Sequence, residues 1–445
     1  MIKRLFIANR GEIALRIIRT ARRMGITTIL GVSEADRQSM PARAADETVL
    51  VGPARSSDSY LSIERVVAAA RAARADAVHP GYGFLSENAA FAEALAEAGI
   101  IFVGPELASL RAMGDKLMAR KVGIEAGLPV VPGGEAADKD AARARAGETG
   151  YPLLLKAVSG GGGRGMKRVD APEQLDSQID MAMAEALAAF GDARVYVERY
   201  IARGRHVEVQ VLGDGVDAIH LGTRDCSIQR RFQKLVEEAP APGIPREKHE
   251  ALMEAAVRLT RHLGYRGAGT VEFLVDAETF DFFFLEMNAR IQVEHPVTEA
   301  ITGVDLIEQQ LLVADGQRLG LAQDDVSITG HAIETRINAE EWTADFRPSP
   351  GTVQRAAWPA GAGIRVDSHI ASGDEVPPFY DSLIGKLIVL GTDRAEAVER
   401  LDGALRAMQI EGVATTVDLH GRIVADPRFR AGGVDTRFFE GLAHG

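Results

Sequence analysis

From Lys3 to Ala8 the chain is a short apolar run, and from Gly11 to Met24 apolar residues recur at helical spacing, with Ile13, Ile17 and Ile18 on one face. Thr27 to Val32 is apolar again. Ser62 to Arg74 is an Ala-rich helical stretch, Ala77-Val78-His79 ends a strand, Asn88 to Ala98 is helical, and Ile100 to Val103 closes as a strand. Strands alternating with helices predict a doubly wound, parallel-sheet α/β domain. Its first turn reads Asn9-Arg10-Gly11-Glu12 instead of GxGxxG, so this domain is expected to support a site without binding a dinucleotide.

Leu107 to Gly127 predicts one or two helices, and polar Gly133 to Gly150 a loop followed by an exposed helix. Strands are expected at Leu153 to Ala157, Met166 to Val169, Val195 to Ile201 and Val207 to Leu212, with a helix over 172–190. A helix over 246–263 and strands over 270–275 and 280–287 follow. Beyond about residue 330, short runs punctuated by Pro348, Pro350, Pro359, Pro377 and Pro378 predict a β-rich closing domain.

A chain of 445 residues is too long for one hydrophobic core. Its 51 Lys and Arg against 63 Asp and Glu leave a net charge of −12, which argues against nucleic acid bound by a broad basic face. Cys226 is the single cysteine, so a disulfide framework and a cysteine zinc site are excluded. No apolar run approaches the ~20 residues that span a bilayer, and no signal peptide opens the chain. The expectation is a cytoplasmic protein without a membrane or nucleic-acid partner.

Three segments carry chemistry. Ser159 to Gly165 reads Ser-Gly-Gly-Gly-Gly-Arg-Gly between two predicted strands. Glycines let backbone N–H groups approach phosphate oxygens with no Cβ in the way. A bare glycine run would equally be a flexible tip, but Lys156 before it and Arg164 inside it favour an anionic phosphate ligand.

Further on, Glu286, Asn288, Arg290, Gln292 and Glu294 alternate with Leu285, Met287, Ala289, Ile291 and Val293. In an extended chain each set shares a face. The competing reading is an edge strand with a solvated face. Against it, Phe282 to Phe284 predict a strand that begins buried on both faces, and the polar set mixes metal ligand, anion clamp and base. The row would span about 27 Å at ~3.3 Å per residue. The chain is therefore expected to bend after Asn288, round a small ligand.

The third signal is Glu272, which interrupts the apolar strand Gly269 to Val275. A buried carboxylate needs a partner, either a salt bridge within the sheet or a cation. With Glu286 and Asn288 it makes a hard oxygen set of the kind Mg²⁺ takes. The cation-dense Arg224 to Lys234 reads as a solvated loop, Cys226 as a small buried filler, and His79 and His295 as structural hydrogen-bonders.

With these motifs in place, the chain resembles the biotin carboxylase component of biotin-dependent carboxylases, an ATP-grasp enzyme. The resemblance runs end to end through IANRGEIALRI at 7–17, HPGYGFLSEN at 79–88, MGDK at 113–116, GGGGRGM at 160–166, RHVEVQ at 205–210, RDCSIQRR at 224–231, EMNARIQVEHPVTE at 286–299, ETRINAE at 334–340 and YDSLIGK at 380–386. It implies a Rossmann-like N-terminal domain over 1–113, an ATP-grasp domain over 114–327 with a mobile lid at about 130–202, and a β-rich C-terminal biotin carboxylase domain over 328–445.

By motif, the resemblance implies that Lys116 and Lys156 touch the phosphates of ATP, with Gly162 and Gly163 covering them. Glu198, Arg199, Tyr200 and Ile201 would lie beside adenine, His206 and Gln229 near the ribose, and Leu274 would also belong to the cofactor-binding set. Glu272, Glu286 and Asn288 would hold two Mg²⁺, with Mn²⁺ as an alternative. Lys234, Arg290, Gln292 and the Val293 backbone would hold bicarbonate, Glu294 would be its base, Arg336 would face the biotin ureido oxygen, and Tyr82 would lie near that pocket. The implied activity is ATP- and bicarbonate-dependent carboxylation of biotin N1′ through carboxyphosphate. This is the first half-reaction of an acyl-CoA carboxylase of the acetyl- or propionyl-CoA type.

No Met-Lys-Met biotin-attachment segment occurs, so the biotin is expected on a carrier protein or another domain, with a carboxyltransferase as further partner. Phe232 stands where many members have His, and the ribose contact at that position is dropped. Arg19, Arg22, Arg23 and Ala362 depart from the face through which well-known bacterial members form homodimers, which weakens the expectation of a dimer. The alternatives are an ATP-grasp ligase that activates bicarbonate for ammonia, and a nucleotide-binding regulatory protein without turnover.

Overall fold

The computed structural model describes residues 1–158, 166–231 and 233–442. The flap glycines Gly162 and Gly163, and Phe232, lie outside the described residues, as does the side chain of Lys116.

Five parallel strands, β1 (Arg4–Ile7), β2 (Thr27–Ser33), β3 (Glu47–Gly52), β4 (Ala77–His79) and β5 (Ile101–Phe102), form the N-terminal sheet in the order β3-β2-β1-β4-β5. β3 is not evident from the pattern because Glu47 to Leu50 lie at the sheet edge, mostly exposed, and do not form an apolar run. The order reverses between β1 and β4, and loops beyond the carboxyl ends of strands at such a switch are where α/β sheets place their sites. Here those loops are Asn9–Gly11 and Pro80–Tyr82. The Asn9 amide ties them together by donating to the carbonyls of Pro80 (2.8 Å) and Tyr82 (2.7 Å).

A small antiparallel sheet follows: β6 (Gly133–Ala136), β7 (Leu153–Ala157), β8 (Lys167–Val169) and β9 (Val195–Arg199), ordered β6-β9-β7-β8. Helices Lys139–Thr149 and Pro172–Phe190 bury Ala142, Ala146, Leu175 and Ile179 against Leu153, Leu155, Val195 and Val197, giving this unit its own core. The expected loop at Gly133 is instead the edge strand β6, which gains backbone hydrogen bonds from β9 despite its two glycines.

The central sheet is antiparallel. β10 (Gly204–Asp214), β11 (Ala218–Arg230), β12 (Gln233–Ala239), β13 (Arg266–Asp276), β14 (Phe282–Asn288) and β15 (His331–Asn338) are joined by strands Leu383–Gly391 and Ile364–Ser368. The order is β14-β13-β10-β11-β12-β15, then Leu383–Gly391 and Ile364–Ser368. One expectation about this sheet needs correction. Arg224 to Lys234 is no solvated loop: β11 and β12 are central strands, and the Arg224 side chain is fully buried, satisfied by Glu208 and Thr270 of the same sheet and by Thr298 on helix His295–Thr302. The closing region is β-rich, as expected. Its strands extend the central sheet and cover the β12 edge, and helices Arg394–Ala407 and Val417–Ala425 pack on it.

Phe282 to Leu285 are not buried on both faces. β14 is an edge strand, and Leu285 is 42% exposed. The register with β13 shifts between Glu272 and Phe273, so Leu285 is the extra residue of a bulge. The bulge inverts the parity of the row and brings Glu286 directly opposite Glu272. The strand ends at Asn288, where the expected bend begins.

Candidate active site

The site is a ladder across four strands. Arg224 on β11 lies opposite Glu208 on β10, Glu208 opposite Glu272 on β13, and Glu272 opposite Glu286 on β14. One rung along, Gln210 lies opposite Thr270 and Thr270 opposite Asn288. Directly opposed residues share a face, so register alone assembles a polar row between apolar walls. Val207, Val209 and Val211 fill the other face of β10.

Lys234 knots the row together. Its ammonium lies 2.6 Å from Glu208, 3.1 Å from Glu272 and 2.6 Å from Glu294. Burial would lower this lysine, but Glu208 and Glu294 overcome it and hold the ammonium well above the usual range. Arg224 satisfies the far side of Glu208 at 2.5 Å and reaches Gln210, Thr298 and Thr270. Glu272 accepts from Asn288 (2.8 Å) and Gln292 (3.1 Å) and lies 2.7 Å from His206. Burial would raise its carboxyl, yet Lys234 and His206 hold it well below the carboxylate range.

The chain leaves the strand after Asn288, as the span of the row predicted. Arg290 donates to Asn288 (2.9 Å), Glu87 (3.0 Å) and Gln292 (3.3 Å). Glu294 is fully buried and takes Lys234 on one oxygen and Arg336 on the other, the latter at 2.9 Å. These cations outweigh burial and keep it below the ordinary carboxylate value. Arg336, on β15, is also anchored to Glu237 at 2.6 Å. Glu237 lies opposite Glu334, and burial raises both carboxyls.

His206 and Gln229 meet at 2.8 Å near this row, and Leu274 lies opposite His206. Lys156 and Glu198 pair with each other on the small sheet. Arg199 and Tyr200 follow, with Arg168 stacked 4.5 Å over the Tyr200 ring, and Ile201 leads into β10. The Tyr82 hydroxyl bonds to Glu12. His79 accepts from the Gly81 N–H and His295 pairs with the Gln292 carbonyl, which are structural bonds, and Cys226 is buried.

Glu208, Arg224, Glu237, Glu334, Glu12 and Lys386 do not stand out in the sequence. Glu208 and Gln210 were within reach, since Val-Glu-Val-Gln-Val repeats the alternation that marks 286–294. The oxygens of Glu272, Glu286 and Asn288 fit a hard divalent cation. They stand on neighbouring strands in register, and Glu272 already accepts from Lys234, Asn288 and Gln292, with His206 2.7 Å away.

A glycine run between two strands of a small β unit, beside an acidic sheet laced with cations, suits a phosphate-bearing ligand. Comparison with known proteins narrows this. Family models match residues 1–110 (biotin carboxylase, N-terminal domain), 115–322 (carbamoyl-phosphate synthase L chain, ATP binding domain) and 334–441 (biotin carboxylase C-terminal domain). The chain is 50% identical over 440 residues to a biotin carboxylase of Nostoc sp., covering 98% of each. It is 47% identical to a pyruvate carboxylase component of Methanothermobacter thermautotrophicus, over 100% of this chain and 91% of that one. Among solved structures, the biotin carboxylase domain of a thermophilic 2-oxoglutarate carboxylase bound to bicarbonate matches with a TM-score of 0.94 at 44% identity, over 100% of this chain and 99% of that one. The chain belongs to the biotin carboxylase family. Among the described residues, no helix is long and apolar enough to cross a membrane.

Proposed function

We propose that the row centred on Lys234 binds bicarbonate against the γ-phosphate of ATP, and that Arg336 presents biotin to the product. The observation that carries this reading is Glu294, a fully buried carboxylate clamped between Lys234 and Arg336. As clamped, Glu294 is a weak base. Bicarbonate entering between the cations competes for them, which frees the carboxylate to accept its proton. Lys234, Arg290, Gln292 and the Val293 backbone orient the anion, so that its oxygen meets phosphorus in line. The bond from phosphorus to the ADP oxygen breaks and carboxyphosphate forms.

Lys116 and Lys156 would absorb charge on the phosphates beneath Gly162 and Gly163. Glu198, Arg199, Tyr200, Ile201 and Leu274 would hold the base, and His206 and Gln229 the ribose. Glu272, Glu286 and Asn288 would hold Mg²⁺, or Mn²⁺, which when bound supplies Lewis-acid neutralisation of the phosphates. Carboxyphosphate breaks down to CO₂ and phosphate, the phosphate takes the N1′ proton of biotin, and N1′ attacks CO₂. A guanidinium has five donors, so Arg336 keeps Glu237 and still offers N–H groups to the ureido oxygen, as an oxyanion site does. Tyr82 would flank that pocket.

The proposal also includes a cytoplasmic enzyme divided at 1–113, 114–327 and 328–445, working with a biotin carboxyl carrier protein and a carboxyltransferase. The solved dimer of a 2-oxoglutarate carboxylase domain supports a homodimer. The acceptor is proposed to be an acyl-CoA of the acetyl or propionyl type, and relatives named for pyruvate and 2-oxoglutarate carboxylases make keto acids the competing class. Native co-purification, with each acceptor class assayed on the recovered complex, tests this. Glu294→Gln tests the site: bicarbonate-dependent ADP release should fall by at least ~100-fold with ATP binding kept. Unchanged release would remove Glu294 from the base role.

A further inference from the structure

Lys386 lies on strand Leu383–Gly391, fully buried, directly opposite Arg336 on β15. Its ammonium donates to the Val293 carbonyl at 2.7 Å and lies 3.1 Å from Glu12, whose carboxylate is also bonded by the Tyr82 hydroxyl. Glu12 sits in the first turn of helix Gly11–Arg23, after β1, and Tyr82 in the loop after β4. One buried cation therefore ties the switch point of the N-terminal sheet to the loop of Gln292 to Glu294 and to the strand beside Arg336. Glu334, Asp367 and Arg365 also act on Lys386 electrostatically.

A buried ion pair is weak evidence for stability, because desolvation offsets its attraction. What this one supplies is geometry. The Val293 carbonyl belongs to the peptide that carries the Glu294 N–H, so holding that oxygen fixes the peptide plane from which the Glu294 side chain departs.

We propose that Glu12 and Lys386 are positioning residues for both halves of the reaction: Lys386 sets the bicarbonate loop through the Val293 carbonyl, and Glu12 sets Tyr82 beside biotin. The proposal rests on the site reading above. Glu12 and Lys386 touch no substrate in it and act through Val293, Glu294 and Tyr82.

The test uses the full chain and steady-state kinetics with free biotin. Lys386→Met should raise the KM for bicarbonate and the KM for biotin each at least ~10-fold while the KM for ATP stays within about twofold. Glu12→Gln, which keeps shape and a hydrogen bond to Tyr82, should shift both in the same direction by about three- to fivefold. Tyr82→Phe should move the KM for biotin more than that for bicarbonate. A general loss of folding would move ATP as well and lower kcat without the split. If Lys386→Met does not fold, Glu12→Gln decides alone. Bicarbonate and biotin KM values within twofold of the parent in the soluble variants would overturn the proposal. Arg290→Gln separates the two levels. If it leaves the KM for bicarbonate unchanged, the site reading has failed, whereas a response there with none in Lys386→Met and Glu12→Gln refutes only the positioning role.

Discussion

Replacing Lys234 by Met removes one ammonium from among three buried carboxylates and leaves a side chain of similar length. Glu208 keeps Arg224 and Glu294 keeps Arg336, but Glu272 is left with His206, Asn288 and Gln292. Removing one partner of a buried ion pair destabilises by about 3–5 kcal/mol. At roughly 2 °C per kcal/mol for a large unit, the melting temperature should fall by about 6–10 °C. The sign of the pH dependence follows. In the parent, Glu272 is held below its ordinary value of 4.5. In the variant the carboxyl moves upward, with His206 still drawing it down. The parent's contribution from Glu272 is present above 4.5 and lost as pH falls through the depressed value, so the variant's deficit should persist throughout pH 5 to pH 8. The assay is thermal melting with a metal chelator present, at pH 5, 6.5 and 8. A variant that melts within 1 °C of the parent at every pH would refute the claim that Lys234 compensates the row.

Arg336→Ala should abolish carboxylation of free biotin while ATP still binds, as read by nucleotide titration; retained carboxylation would remove Arg336 from the mechanism. Glu286→Gln should lower turnover by at least ~100-fold and raise the divalent-cation requirement, measured as ADP release against Mg²⁺ concentration. Asp46, through the Thr28 hydroxyl and N–H, and Asp305, through Arg16 against its burial, are pulled down from 3.8 to about 2. Their contribution is complete above 3.8 and is lost as pH falls through about 2, roughly 2 kcal/mol for the better-buried Asp305. Urea midpoints at pH 5, 3.5 and 2.5 should therefore decline in order.

Much of this was legible in the chain because local pattern and tertiary use agree. The N-terminal alternation of strand and helix is fixed by apolar periodicity, and the Glu286 to Glu294 row stands out by its composition. The failure at the central sheet has a plain cause. Periodicity reports which faces are apolar, but the central strands of this sheet bury polar residues as well. Arg224 looks solvated until Glu208, Gln210, Thr270 and Thr298 are known to surround it. The bulge at Leu285 and the Glu12–Lys386 contact depend on pairing between strands or units far apart in sequence, which one-dimensional spacing does not encode. Helix Arg394–Ala407 carries its own signal, with Asp393 capping it and Val398, Leu401 and Leu405 on one face, but it follows a proline-rich stretch whose pattern reads as turns.

The central claim is that one site couples ATP cleavage to capture of bicarbonate carbon on biotin. The most direct measurement follows ADP release and isotopically labelled bicarbonate together, with and without free biotin. The account predicts that biotin stimulates ADP release and that label appears in biotin at one equivalent per biotin-dependent ADP. ADP release indifferent to biotin, or stimulated by ammonia with no label in biotin, would contradict it.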